Sequence, residues 1–327
     1  MVKMNYKGVT DINNWKAVMQ LIRLPNVFII ILTQFMVRFC IIEPFIYSDH
    51  TYAVSIFPDF LVLVLATVLI AAGGYIINDY FDVKIDSINR PEKIVVNKLI
   101  TARAAIKLHM LLNGVAIILG FYLAFRVKAI SFGLLFPFIS GLLWIYSAKY
   151  KRVVFWGNFI VASSTAFVIL MVWLFEFFWL RLNAELFVTV ITNIRWVTHV
   201  FLGYAIFAFL ISMVREIIKD MEDAEGDESY GCRTIPLVAG IERTRYLIAA
   251  IILVTMVLLG YAQLILYRLN MNMVFWYFFI TVQFPLVYLL AKLFGAREKQ
   301  DYHNLSNLCK LIMVAGILSM QVLLINN

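Results

Sequence analysis

Charge is scarce in this chain. Asp, Glu, Lys and Arg make up 15% of its 327 residues, against 63% for hydrophobic ones, where soluble domains carry ~25% charged and ~45–50% apolar residues. So little polar surface cannot cover the chain in water, which excludes a soluble globular fold and makes lipid the solvent for most of it. Cysteine and histidine are also sparse. Cys40, Cys232 and Cys309 share no C-x-x-C and no ligand spacing, so a thiolate metal site is excluded and the three read as reduced and structural. His50, His109, His199 and His303 form neither H-x-x-x-H nor H-E-x-x-H, which leaves zinc and haem chemistry without support. The 28 Lys and Arg exceed the 20 Asp and Glu, yet no basic stretch is long, polar and rich in aromatics. The excess therefore points to loops lying on anionic lipid and not to nucleic acid. Residues 1–15 lack the short apolar core and small-residue site of a removable leader.

What is present is a series of long runs without charge. Since ~20 residues of helix cross the ~30 Å hydrocarbon layer, eight such runs and a further apolar segment, 17–42, interrupted only by Arg23 and Arg38, predict nine transmembrane helices, at about 17–42, 60–78, 104–125, 129–148, 153–175, 196–219, 246–267, 269–291 and 305–327. They are continuously apolar, unlike the alternating strands of a β-barrel. The expectation is an all-α integral membrane protein, a single domain with its helices around a central cavity. Most Lys and Arg fall at the N-terminus and after helices 2, 4, 6 and 8, leaving Arg38, Arg126, Lys128, Arg181, Arg195 and Arg268 on the other side. That asymmetry places the N-terminus in the cytoplasm and the chain in the cytoplasmic membrane.

The acids are clustered. Ten of the 20 Asp and Glu lie within 79–86 and 216–228, both on the expected cytoplasmic side. Asp79, Asp82 and Asp86 recur as Asp220, Asp223 and Asp227, each offset by 141 residues. On a helix the spacing i, i+3, i+7 puts three carboxylates on one face, where they repel. Both clusters also fall at the expected C-terminal ends of their helices, where the macrodipole disfavours anions. A divalent cation is the simplest compensation. An all-oxygen ligand set without Cys or His selects magnesium over zinc, and magnesium commonly bridges carboxylates to a phosphate. Arg90, Lys93, Arg215, Lys219 and Arg233 flank the acids, as a diphosphate clamp would require, although each base taken singly also reads as a membrane-side anchor. The segment 146-YSAKYKR-152 offers Lys151 in either role. Arg23 lies inside the first apolar segment, and a charge within a span is a functional candidate.

The motif N-D-x2-D-x3-D at 78–86, the Asn89-Arg90-Pro91 after it, and D-x3-D at 223–227 resemble the two signatures of the UbiA superfamily of intramembrane prenyltransferases. The resemblance covers nearly the whole chain, with the Tyr-Ser…Lys-Arg loop after helix 4. It implies transfer of a prenyl group from an isoprenyl diphosphate to a lipophilic acceptor inside a ring of helices, with Mg2+ as cofactor and membrane lipid as surroundings. It implies Asn78, Asp82 and Asp86 on one magnesium, Asp223 and Asp227 on the other, Asp79 and Asp220 in support, and Lys151 and Arg90 on the diphosphate. Within the superfamily, 78–93 and 215–227 are most similar to the archaeal-type geranylgeranylglycerol-phosphate geranylgeranyltransferases, which implies an ether-lipid acceptor. Ile94 departs from the pattern, where many members carry proline. Aromatic-acceptor members share the style of the second motif. No obligate protein partner is implied.

Tyr75, Tyr80, Phe81, Tyr146 and Tyr150 lie near the motifs and could face an allylic cation, although packing accounts for any one of them. Gly73-Gly74 and Ser163-Ser164 suit close helix approach. An ion-coupled transporter would carry its acids at mid-span. A CDP-alcohol phosphotransferase would need glycine where Val83 stands.

Overall fold

A backbone in lipid must satisfy every N–H and C=O within its own segment, so apolar runs of this length fold as helices. The computed structural model describes residues 15–47 and 50–325, the side chains of residues 50 and 51 apart. Residues 1–14, which bear on the absence of a leader, and 326–327 lie outside that range. Among the described residues nine helices are long and apolar enough to cross a membrane. These are α1 (Leu24–Ile46), α2 (Tyr52–Asn89), α3 (Ala102–Arg126), α4 (Ile130–Ala148), α5 (Trp156–Leu180), α6 (Ile191–Glu222), α7 (Ile241–Arg268), α8 (Asn272–Leu293) and α9 (Lys299–Ile325). In α1 a π-helical turn at Arg38–Ile42 precedes Pro44, and in α8 one at Phe279–Gln283 precedes Pro285. Proline lacks the helical N–H and its ring crowds the carbonyl four residues back; a widened turn absorbs both.

Three boundaries differ from the sequence reading. The first segment is broken at Arg23, whose backbone is left-handed (φ 52°, ψ 57°), and a short helix Trp15–Leu21 precedes it. Arg23 therefore stands at the entrance of α1 and not within it. The second helix runs through the first acid cluster to Asn89 instead of ending at 78. Charge ends a membrane run but not a helix, and this one continues until the residue before Pro91 leaves helical geometry (Arg90, φ −151°). The ninth begins at Lys299.

Three buried clusters hold the bundle. The largest, with Ile41, Phe60, Phe132, Phe175 and Phe201, joins α1 to α6; the second, with Ile217, Ile252, Leu286 and Cys309, joins α6 to α9; the least of them packs Leu21 with Ile76, Val96 and Ala105. The outer surface is apolar as well: Phe125 is 82% and Val257 71% exposed. Each would forgo ~1.5–3 kcal/mol in water, and lipid removes that penalty. The two expected close approaches at Gly73-Gly74 are present. A Cβ on Gly73 would overlap the Asn113 amide, and one on Gly74 would sit 2.9 Å from the Leu143 side chain. Beside them the His109 Nδ1–H donates to the Gly73 carbonyl at 2.8 Å and the Ser140 hydroxyl to Asn113 Oδ1 at 2.7 Å, tying α2, α3 and α4 together.

At the end of the bundle away from the acid clusters, Arg38 and Glu176 form a wholly buried ion pair. The Tyr47 hydroxyl donates to Glu176 at 2.6 Å and Arg38 donates to the Ala53 carbonyl at 3.0 Å. Arg38, counted by sequence among loop charges, is instead a core residue linking α1, α2 and α5.

Candidate active site

The lower half of α2 turns one stripe inward. Gly74, Tyr75, Asn78, Asp82, Ile85, Asp86 and Asn89 recur at helical spacing and line a cavity of about 690 Å³. Opposite them α6 presents Glu216, Lys219 and Asp220, and the chain leaves the helix at Asp223 to form a short turn of helix, Ala224–Ser229, that carries Asp227 into the same cavity. The first acid cluster is therefore wholly helical, and the second straddles a helix end. The macrodipole argument holds for Asp86, Asp220, Glu222 and Asp223, which occupy last turns or the cap, and not for Asp79 or Asp82.

Hydrogen bonds join the two clusters. The Arg90 guanidinium spans both oxygens of Asp223 at 2.8 Å and reaches Glu222 at 3.2 Å. The Asn89 amide donates to the Asp223 carbonyl at 3.0 Å and accepts from the Gly226 N–H at 3.0 Å. A Cβ on Gly226 would overlap that amide, so only glycine permits the approach. Asn78 donates to Asp82 at 2.7 Å, and Lys151, raised on the 3-10 turn Tyr150–Arg152, ion-pairs with the same carboxylate. Asn158 donates to Asp220 at 2.8 Å, Arg23 to Asp79 at 2.7 Å, and His303 pairs with Glu222 at 3.0 Å.

The electrostatics follow from crowding. Burial, reinforced by Asp223, Asp82 and Asp86 and only partly offset by Lys151, pushes the Asp227 carboxyl up to about 6. Burial works against the charge of Lys151, yet Asp82 outweighs it and holds the ammonium above the ordinary lysine range. Arg90 is raised in the same way: burial opposes its charge, and Asp223 and Glu222 more than compensate.

Every residue that the sequence reading gave to the metal or the diphosphate lines this cavity except Arg233. Arg233 is exposed, and its backbone N–H donates to the Arg152 carbonyl at 3.0 Å. That bond ties the segment after the second cluster to the turn bearing Lys151, and the side chain has no place in the site. Glu225 and Glu228 are likewise exposed and stand outside. Of the five aromatics only Tyr75 and Tyr146 line the cavity; Tyr80 and Phe81 meet edge to face at 5.2 Å and Phe81 meets Trp144 at 6.0 Å. Sequence reasoning missed Asn158 and gave Asn89 no role. Asn89 stood beside Arg90 in the motif, but its bonds to residues 223 and 226 have no counterpart in spacing.

The donor set is all oxygen, with no Cys or His on the cavity wall. Among the described residues no three acidic, His or Cys side chains converge as a ready-made ion cage. Magnesium needs no such cage, because it retains water and uses one or two carboxylates together with substrate phosphate. Asn78, Asp82 and Asp86 on one side and Asp223 and Asp227 on the other fit that manner of binding.

The profile of the UbiA prenyltransferase family matches residues 49–309. The chain belongs to the UbiA prenyltransferase family. Family membership makes it a prenyltransferase, the enzyme class expected from its sequence, built as an integral multi-pass membrane protein. Similar proteins include the digeranylgeranylglyceryl phosphate synthase of Methanosphaera stadtmanae, 29% identical over 83% of this chain and 88% of that protein. The Saccharolobus solfataricus protein of the same name is 30% identical over 75% and 76%, and that of Thermococcus sibiricus 34% over 56% and 57%. With the last the chain thus matches little more than half of its relative's length. Among UbiA-fold structures, one solved for digeranylgeranylglyceryl phosphate synthase is similar with a TM-score of 0.63 at 22% identity, covering 95% of this chain and 99% of that one. A UbiA homologue from Archaeoglobus fulgidus bound to GPP and Mg2+ has a TM-score of 0.54 at 13% identity, covering 93% and 99%.

Proposed function

We propose that the chain transfers an isoprenyl group, best geranylgeranyl, from its diphosphate to the hydroxyl of geranylgeranylglycerol phosphate, with magnesium held between the two acid clusters at the cytoplasmic face. The observation that carries this reading is the joining of the clusters across one cavity, with Arg90 bridging from the end of α2 to Asp223. The relatives' names support the acceptor, the Archaeoglobus homologue's ligands support the donor and metal, and the distribution of Lys and Arg supports the orientation.

The chemistry that magnesium supplies when bound is neutralisation of the departing diphosphate. Lys151 and Arg90 add fixed positive charge beside it. The apolar walls of α4 and α5, including Leu135, Ile139, Leu143 and Val168, hold the prenyl chain and exclude water. The Tyr75 ring carries the Arg23 guanidinium 5.2 Å from its centroid, which leaves Tyr146 to offer aromatic surface to the allylic carbon, where positive charge develops as its C–O bond breaks and before the acceptor oxygen forms the new bond.

The test incubates the purified protein with labelled geranylgeranyl diphosphate, magnesium and separate acceptors: geranylgeranylglycerol phosphate, 4-hydroxybenzoate, homogentisate and dihydroxynaphthoate. Transfer to the first is expected, and preference for an aromatic acceptor would replace the ether-lipid assignment. Asp82→Ala and Asp223→Ala should each abolish transfer while leaving the protein inserted. Full activity in both would overturn the clamp.

A further inference from the structure

The two sides of the cavity differ in charge. Toward α2 and the 150–152 turn, carboxylates are abundant and both Lys151 and Arg90 are ion-paired. Toward α1, α6 and α9 the cavity is lined by Arg23, Arg215, Lys219 and Lys310. Two carboxylates pair with three of these four bases: Asp79 holds Arg23 at 2.7 Å, and Glu216 holds Arg215 at 2.5 Å and Lys219 at 3.5 Å. Lys310 makes no hydrogen bond or ion pair with any described residue, and it lies within electrostatic reach of Arg215, Lys219 and Arg23 and, more weakly, of Glu216. The Arg215 Nε is buried without an acceptor. Two positive charges and a buried donor are thus left uncompensated in a partly dehydrated wall, where like charges repel strongly. A phosphomonoester carries close to two negative charges near neutral pH and several acceptor oxygens.

Beneath the bases the wall is apolar. On α6 Tyr204, Phe207, Ala208 and Ile211 line the cavity; on α9 Met313, Gly316, Ile317 and Met320 do so below Lys310. Both sets follow helical spacing, so each is one continuous face, and together they form a trough across the cavity from the α4 and α5 walls. Gly316 sets how far the Phe207 ring reaches into it, since the ring packs onto the glycine and a Cβ there would sit 2.8 Å from it.

We propose that Arg23, Arg215, Lys219 and Lys310 form a subsite for the phosphomonoester head of the acceptor, whose hydrocarbon tail lies along the α6–α9 trough. The inference rests on the prenyl-transfer reading and deepens it by assigning the acceptor's charge to residues separate from the donor's. Head and tail then enter side by side with the donor, so the hydroxyl next to the phosphate meets the allylic carbon between the two walls.

Lys310 is the cleanest residue to change because its removal leaves no carboxylate unpaired. Lys310→Gln should raise KM for geranylgeranylglycerol phosphate about tenfold, the loss of one charge-assisted hydrogen bond, and leave KM for geranylgeranyl diphosphate unchanged. Lys310→Arg should restore it. Gly316→Ala should weaken the acceptor by pushing the Phe207 ring into the trough, again without moving the donor's KM. Equilibrium binding of labelled geranylgeranylglycerol phosphate should exceed that of the dephosphorylated alcohol about a hundredfold in wild type, two such bonds' worth, and Lys310→Gln should narrow that gap. An equal rise in the donor's KM would assign the bases to the diphosphate, equal binding of phosphate and alcohol would remove the subsite, and competition by inorganic phosphate as strong as by the lipid would reduce it to a general anion site; each overturns the proposal. If no acceptor is prenylated at all, the enzymatic reading fails separately, and the binding comparison still decides the subsite.

Discussion

Asn89→Ala should loosen the second acid cluster from the first without touching a proposed metal ligand. The side chain makes two hydrogen bonds at 3.0 Å, one to the Asp223 carbonyl and one from the Gly226 N–H. The Lys299 bond at 2.7 Å goes to the Asn89 backbone and survives. Two such bonds contribute about 0.5–1.5 kcal/mol each, and a buried N–H left without a partner moves the sum toward the top of the resulting 1–3 kcal/mol range. Expressed as misalignment of Asp223 and Asp227, a value of about 2 kcal/mol corresponds to a roughly thirtyfold higher magnesium concentration for half-maximal diphosphate release. Gly226 sharpens the test, because the atoms that its Cβ would strike belong to Asn89. Gly226→Ala should be damaging alone and close to neutral in the Asn89→Ala background, a non-additivity expected only of residues in contact. The assay is a magnesium titration of diphosphate release by the two single variants and the double variant. An unshifted curve for Asn89→Ala, or a Gly226→Ala penalty that is the same in both backgrounds, would refute the tether.

Three further outcomes follow from the geometry. Glu176→Ala strands the buried Arg38 charge and should destabilise the protein by about 3–5 kcal/mol, read as an earlier denaturation midpoint in detergent, with Arg38→Met/Glu176→Leu recovering much of it; a wild-type midpoint for Glu176→Ala contradicts the pair's role. Asp227, with a carboxyl at about 6 against an ordinary 3.8, binds its proton more tightly folded than unfolded, so its burial penalty is present above pH 6, fades as pH falls through 6 and is gone below 3.8. In divalent-free buffer wild type should therefore gain thermal stability from pH 7.5 to 5.5 relative to Asp227→Asn, while divalent binding weakens over the same interval; parallel pH profiles for the two proteins rule this out. Arg233→Ala should leave KM for the diphosphate unchanged, since its side chain lies outside the cavity, and a severalfold rise would return it to the site.

Lipid made the architecture legible. A charge is so unfavourable in hydrocarbon that runs between charges marked eight of the nine spans, α1 with Arg38 inside it being the exception, and the same rule made clustered acids conspicuous. It misplaced boundaries wherever charge and helix end were not the same event: α2 carries Asp79, Asp82 and Asp86 and stops only near Pro91. The acid repeat was readable because 141 residues separate equivalent positions along the chain, and the fold converts that separation into opposition across a cavity. Residues whose role is to join elements left no such trace. Asn89 is one polar residue among several after the first motif, and its importance lies in residues 223 and 226, known only once α6 is in place. Lys310 reads as the charge bounding an apolar run, and Arg38 as a loop cation, until the third dimension supplies Arg215 beside the one and Glu176 beside the other. Short-range periodicity therefore reports which face of a helix turns inward, while the sign of the charge a distant helix brings to that face is a property of packing. In this protein the carboxylate wall follows from the first kind of information and the convergence of Lys310 with Arg215, Lys219 and Arg23 from the second, which is why the acids could be read from spacing and the meeting of the bases had to be seen.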